Sequence, residues 1–175
     1  MRLHAQAARA AAADGDVEGF TAAFHAAEDA HRLLPPRSPR RFGMDVLPLA
    51  DYALTSYPAT SFIWLGQAEQ ARRHAEHALM TYESAPEASR SPSREAIARI
   101  DLAIAHAQLG APDDAVALGH QALDSARVVG SVLGRAGDLT TFLTRHYPRR
   151  TAVEGLRERL TAAARPSLTA TSTGA

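Results

Sequence analysis

A spacing that recurs three times along the chain limits the possible folds more than any other sequence feature. A small residue is followed after seven positions by a glycine, and by small or aromatic residues twelve, sixteen and nineteen positions after the start. Such a unit predicts a helix, a tight turn at the glycine, and a second helix packed closely on the first. Repetition of the unit indicates a helical solenoid. The three copies are Ala8, Gly15, Phe20, Phe24, Ala27; Ala59, Gly66, Ala71, Ala75, Ala78; and Ala103, Gly110, Ala115, Gly119, Ala122.

Apolar periodicity and helix stop signals predict an all-α chain of about eight antiparallel helices. The predicted helices cover residues 2–13, 17–34, 44–65, 68–83, 93–109, 112 to about 130, 131–147 and 152–164. Pro58 is expected to kink or split the third of them, because proline removes a donor from the helical ladder. Residues 1–165 are expected to form a single helical-repeat domain, followed by a disordered polar tail at 166–175.

The composition excludes several function classes, since the chain has no cysteine, no lysine and a formal net charge of zero. Without cysteine there is no disulfide, thiolate catalyst or cysteine-ligated zinc, and without lysine there is no Schiff-base or phosphate-loop lysine. Zero net charge removes the global electrostatic case for binding nucleic acid or an anionic membrane. No apolar run approaches the length of a membrane span and no signal peptide is recognisable, so we expect a soluble cytoplasmic protein without cofactors.

The recurring spacing resembles the tetratricopeptide repeat in a degenerate form. The leading alanine of each copy matches the small residue of that family's first helix, and the final alanine matches the last small residue of its second helix. Phe24 matches an aromatic position that Ala75 and Gly119 leave empty. The resemblance implies helical hairpins that stack into an array with a concave groove.

A narrower resemblance covers residues 57 to about 160. The segments at 93–123 and 125–139 are similar to the C-terminal repeat region of actinobacterial transcriptional regulators, which usually carry an N-terminal helix-turn-helix DNA-binding domain. No such domain precedes the repeats, so the chain is expected to be either the C-terminal half of a regulator or a stand-alone relative. The resemblance implies a sensing or oligomerising module.

The groove side of each first helix is identified by counting back from its turn glycine, if this resemblance holds. The third copy places three isoleucines there, so its first helix is apolar all round and must be covered on both sides. The cover could be the chain's own flanking helices, a second protomer or a ligand. The candidate groove residues are Arg9, Thr60, Ile63, Trp64, Ile97, Ile100, Ile104 and Gln108.

Two other sets of residues invite a chemical interpretation. His74 and His77 share a helix face and could hold zinc if a third ligand arrived, whereas a solvated helix face is the simpler interpretation. Arg37, Arg40 and Arg41 form a basic loop that could meet an anion or an acidic partner, or stay solvated. No nucleophile elbow, phosphate loop or catalytic triad is recognisable, so no catalytic, cofactor or metal residue is assigned.

The sequence therefore predicts a non-enzymatic module of a transcriptional regulator that senses a ligand or binds a partner. Its partner would be a peptide, a small molecule or a protein in an apolar groove, with no direct DNA binding by this chain and no membrane association. A stand-alone interaction scaffold or homodimer is the alternative. A small enzyme or metal-binding protein that uses His74 and His77 is a third.

Overall fold

The computed structural model describes residues 1–33, 49–87 and 90–165, and within these ranges it contains eight α-helices and no strand. The predicted all-α class is thereby confirmed. The basic loop, the expected start of the third helix at 44–48 and the polar tail lie outside the described residues. The helices are α1 (Arg2–Ala13), α2 (Val17–Arg32), α3 (Leu49–Trp64), α4 (Ala68–Glu83), α5 (Pro92–Gln108), α6 (Pro112–Leu123), α7 (Gly130–His146) and α8 (Thr151–Ala163).

The three turn glycines end α1, α3 and α5 in the same way. Gly15, Gly66 and Gly110 have φ of 76°, 68° and 86°, in the left-handed region that favours glycine. After each glycine, the next backbone N–H bonds back to a carbonyl five residues earlier at 2.9 Å, as from Asp16 to Ala11. This is the Schellman arrangement, and it reverses the chain within three residues so that α1–α2, α3–α4 and α5–α6 lie side by side.

The eight helices alternate between two sets. Helices α1, α3, α5 and α7 contact one another in that order, and each packs on the helix that follows it, α2, α4, α6 or α8. The last pair, α7–α8, follows no copy of the sequence spacing, and its connection at 147–150 contains no glycine. The sequence spacing therefore marks three of the four helix pairs.

Local predictions differ from the structure in three places. Pro58 does not split α3: it lies buried inside a continuous helix, where its missing N–H removes only the one bond to the Leu54 carbonyl. Helix α6 ends at Leu123, well before residue 130. The segment after it leaves the helical path because the Ser125 hydroxyl donates to the Pro92 carbonyl at 3.0 Å and Val129 is extended.

The third prediction concerns the first and last alanines of a copy, which we expected to meet, as Ala103 with Ala122 and as Ala59 with Ala78. Ala103 and Ala122 lie in one apolar cluster, but the prediction was wrong for the second copy. Ala59 packs with Ala75 and Leu102, whereas Ala78 packs with Tyr82 and with Ala98 of α5. In a hairpin, residues meet at equal heights above the turn, and the two alanines stand about 10 Å and about 18 Å from Gly66 at 1.5 Å per residue. The last alanine therefore lies at the contact with the next helix pair.

Candidate functional site

Arg9 of α1 is held between two aromatic rings of α3. Its guanidinium carbon lies 5.0 Å from the centre of the Tyr57 ring and 5.4 Å from the centre of the Trp64 ring. The two aromatic residues are seven positions apart, which places them on the same side of α3. Gln6, on the preceding turn of α1, donates from Nε2 to the Tyr57 hydroxyl at 3.2 Å. We call Gln6, Arg9, Tyr57 and Trp64 the α1–α3 seam.

The seam presents a positive charge that has no counter-charge among the described residues. No residue that the structure describes accepts a hydrogen bond from the N–H donors of Arg9. Arg9 forms no ion pair with any residue that the structure describes. Trp64, the one tryptophan of the sequence, is 40% exposed beside it. The arrangement offers hydrogen-bond donors and an apolar ring on one surface.

A buried polar network joins α3, α5 and α7. Asp101 of α5 accepts from the Thr60 hydroxyl at 2.7 Å on one carboxylate oxygen and from Arg135 Nε at 2.6 Å on the other. Burial acts to lower the pKa of Arg135, but the carboxylates of Asp101 and Asp138 together outweigh burial, so the pKa is raised. Arg135 also donates to the exposed Asp138 at 2.9 Å. Because its inner members are enclosed, this network fixes helix positions and does not offer a free reactive group.

The three isoleucines of α5 are covered by the chain itself. Ile100 and Ile104 are buried in one apolar cluster with Val132 and Leu139 of α7, and Ile97 packs against that cluster. The Tyr147 hydroxyl, just after α7, donates to the α5 carbonyl of Ala107 at 2.6 Å and holds the two helices together. The sequence left three possible covers for these isoleucines: the chain's own helices, a second protomer or a ligand. In the structure the chain's own helices cover them.

The predicted groove residues therefore fall into two groups. Arg9 and Trp64 meet in the seam, at a partly open surface. The others lie in helix contacts: Thr60 in the polar network, and Ile63 in the apolar cluster, where its carbonyl accepts from Gln108 Nε2 at 3.2 Å. Among the described residues Gln108 Oε1 is buried without a hydrogen-bond partner. The structure thus assigns the open part of the candidate site to α1 and α3.

A cluster of aromatic rings lies where α2, α3 and α4 meet. Phe62 packs edge-on against Phe20 with ring centres 5.0 Å apart, and His74 stacks on Phe62 at 5.1 Å. His74 also meets Phe24 edge-on at 6.1 Å. Burial lowers the pKa of His74, and the nearby charges of His77 and Arg73 lower it further. The neutral imidazole is therefore favoured as a packing ring in this cluster.

No third zinc ligand lies beside His74 and His77 in the described residues. Throughout 1–33, 49–87 and 90–165, no group of three or more His, Asp or Glu side chains is placed to hold a metal ion. The carboxylates near these histidines are engaged elsewhere, since Glu69 and Glu76 both bond to Arg72. Glu69 accordingly has a lowered pKa, chiefly through the hydrogen bond from Arg72.

Sequence reasoning missed Gln6 and Tyr57 of the seam and Asp101 and Arg135 of the buried network. Tyr57 could have been found, because it lies seven positions before Trp64 and so shares its side of α3. Arg135 had no signal, since α7 lies outside the recurring spacing and its partner Asp101 is 34 positions away. Asp101 was not singled out, although a carboxylate among the apolar residues of the middle of α5 is buried at the cost of needing such a partner.

Two surface depressions lie away from the seam. The larger, of 340 Å³, is lined only by residues of α8 and its C-terminal end, and the smaller, of 50 Å³, lies between the ends of α7 and α8. Both are shallow features of the last helix pair. Neither contains a group of the seam or of the buried network.

Comparison of the chain with protein-family models, curated proteins and solved structures finds no significant match. The resemblance to tetratricopeptide repeats and to actinobacterial regulators accordingly stays a prediction. Among the described helices, none has the length and apolar character needed to cross a lipid bilayer. The functional argument therefore depends on the geometry of the α1–α3 seam.

Proposed function

We propose that this chain is a non-enzymatic binding module that takes a peptide segment of a partner on the α1–α3 seam. The observation that carries the proposal is Arg9 held against the rings of Tyr57 and the exposed Trp64, a guanidinium with no carboxylate partner in the part of the chain that the structure describes. Exposed indole and guanidinium groups are the side chains most enriched among binding hot spots. A peptide fits this surface better than a small molecule, because the seam is an open contact between two helices and not an enclosed cavity.

The regulator resemblance gives this module its proposed context, which is a sensing part of a transcriptional regulator in the cytoplasm. Partner binding across α1 and α3 would favour one relative position of these helices over another, and so report occupancy to an attached domain or protein. A homodimer that covers the α5 isoleucines is not favoured, because α7 already covers them. A metal-binding role has no supporting cluster of ligands in the described part of the chain.

Selection of short random peptides from a display library on the immobilised chain tests the proposal. Recovered peptides should change the fluorescence of Trp64, since this residue is the single tryptophan of the chain. Trp64→Ala should abolish capture while the circular-dichroism melting curve stays cooperative. Met80→Ala is a matched control, because Met80 is exposed on α4, outside the seam. Failure to recover any peptide on the folded wild-type chain would refute the proposal.

We also propose that this chain does not bind DNA sequence-specifically. Its formal net charge is zero, and seven of the described arginines are paired with carboxylates and not free for phosphates: Arg32, Arg72, Arg73, Arg99, Arg135, Arg150 and Arg159. Polarisation titrations against promoter fragments at near-physiological salt should show no selective binding. Tight binding to one fragment that is lost on base substitution would contradict this part.

A further inference from the structure

We infer that Arg9 recognises a side-chain carboxylate, so that the partner segment carries an aspartate or glutamate next to an apolar residue. The inference rests on the binding function proposed above and names the chemistry of its partner. It follows from three observations: how Arg9 is held, what it lacks, and what lies beside it. Each concerns residues of the α1–α3 seam.

The way in which Arg9 is held leaves its hydrogen-bonding edge available. Tyr57 and Trp64 lie with their ring centres 5.0 and 5.4 Å from the guanidinium carbon, and no residue that the structure describes accepts a hydrogen bond from Arg9. The donors lie in the plane, as a fork that matches the two oxygens of a carboxylate. Because the rings hold the group in place before binding, less side-chain entropy is lost when the fork is engaged.

Arg9 is held by uncharged rings and not by carboxylates. Arg72 pairs with Glu69 and Glu76, and Arg135 pairs with Asp101, so each of those charges is compensated within the fold. Arg9 contacts two aromatic rings but has no ion pair in the described residues. A partner that brings a negative charge completes the site by charge complementarity.

The neighbour of Arg9 defines the second half of the partner's chemistry. Trp64 is 40% exposed and its ring borders the guanidinium, so an apolar side chain adjacent to the acidic one can cover it. A carboxylate alone would leave this ring in water. The seam thus fits a short segment in which an acidic and an apolar residue are neighbours.

A double-mutant cycle on peptides recovered by display tests the inference with the full chain. We expect recovered peptides to share an Asp or Glu, and replacement of that residue by Asn or Gln to weaken binding about tenfold or more. Arg9→Gln should produce a similar loss, and no further loss with the neutral peptide. Arg9→Lys, which keeps the charge but not the planar fork, should lose part of the affinity. Arg157→Gln, with the same charge change on exposed α8, is the matched control and should bind like wild type.

The other outcomes separate this inference from the function on which it rests. Peptides that are recovered without an acidic residue, and that bind equally to Arg9→Gln, would overturn the carboxylate and leave the binding module intact. Recovery of no peptide on the folded chain would overturn both. If replacement of the acidic residue by phosphoserine tightened binding tenfold or more, the ligand of Arg9 would be a phosphate. The inference that Arg9 recognises a carboxylate would then be overturned.

Discussion

The first four helices, α1–α4, and the last four, α5–α8, are connected in the same way, but they bury side chains of very different size. In α5–α8, large apolar side chains form a single buried cluster that includes Ile100, Leu139, Leu143 and Leu156. In α1–α4, most of the buried residues are alanines, and they are divided among small clusters such as Ala8, Ala12 and Phe20. The first half thus gains less free energy from each contact, because burial stabilises in proportion to apolar area.

The two halves therefore differ in role: α5–α8 stabilises the fold, and α1–α4 carries the proposed binding surface. A half that is held by alanine contacts and stacked rings opens at lower free energy than one with a continuous core, and binding surfaces are drawn from such regions. The α1–α3 seam lies in the weaker half, while the polar network around Asp101 connects α3 to the stronger one. The four predictions that follow test this division, from the largest expected effect to the smallest.

Loss of the Asp101 carboxylate should have the largest effect, because Asp101→Ala leaves the enclosed Arg135 charge without its main partner. We expect a destabilisation of about 3–5 kcal/mol in chemical denaturation. Asp138→Ala removes the exposed partner of the same arginine and should cost less than about 1 kcal/mol. Equal losses for the two variants would mean that the buried network does not connect the halves.

Truncation should affect the two halves differently. Leu143→Ala removes a fully buried side chain of the α5–α8 cluster and should destabilise by about 2–5 kcal/mol, without changing the seam. Trp64→Ala removes a larger but exposed ring and should cost only about 1 kcal/mol, while it abolishes peptide capture. Melting curves and display capture on both variants measure this contrast. A larger stability loss for Trp64→Ala would reverse the comparison.

Two glycines of the stronger half should respond with opposite signs. A Cβ on Gly119 would stand 2.9 Å from side-chain carbons of both Leu139 and Leu156, which are themselves buried. Gly119→Ala should therefore destabilise by about 1 kcal/mol, even after its gain in helix propensity. Gly134, inside α7, has open space around a new Cβ, and Gly134→Ala should stabilise by about 0.5–1 kcal/mol. Thermal melts compare them directly, and stabilisation by both would show that the core has room.

The smallest effect concerns pH and the aromatic cluster of the weaker half. The folded pKa of His74 is lowered, so below the ordinary value of about 6.5 the unfolded chain takes up this proton more readily than the folded chain. This contribution to stability is complete above that pH and is lost as the pH falls below it. In denaturation series, His74→Phe should therefore lose less stability than wild type between about pH 8 and about pH 5. If wild type and His74→Phe lost equal stability over this pH range, the lowered pKa of His74 would be contradicted.

The fold could be predicted from the sequence wherever a local pattern determines it. Gly15, Gly66 and Gly110 identify their turns because the left-handed conformation they adopt depends on one residue, and the bounds of α1 and α4 follow from the adjacent periodicity. The end of α6 could not be predicted in this way. It depends on a bond from Ser125 to the Pro92 carbonyl, 33 positions away.

The candidate site was predictable in part for the same reason. Arg9 and Trp64 were found because the position of a residue relative to its turn glycine fixes the helix face. That Arg9 would sit between two rings, and that α7 would cover Ile100, depended on how separate helices meet. The residue spacing within one helix does not show which other helix it will contact. For the same reason, the carboxylate that pairs with Arg135 can be identified only when the positions of α5 and α7 are known.

The position of Arg135 relative to Asp101 also has a consequence for synthesis of the chain. Translation adds residues from the N-terminus, so the Asp101 carboxylate leaves the ribosome 34 residues before the guanidinium that neutralises it. Until then α5 carries a charge on a surface that the finished fold encloses, and burial of that charge alone is unfavourable. Nascent chains that end before α7 therefore keep α5 hydrated, and the arrival of α7 completes the assembly of the helices made before it.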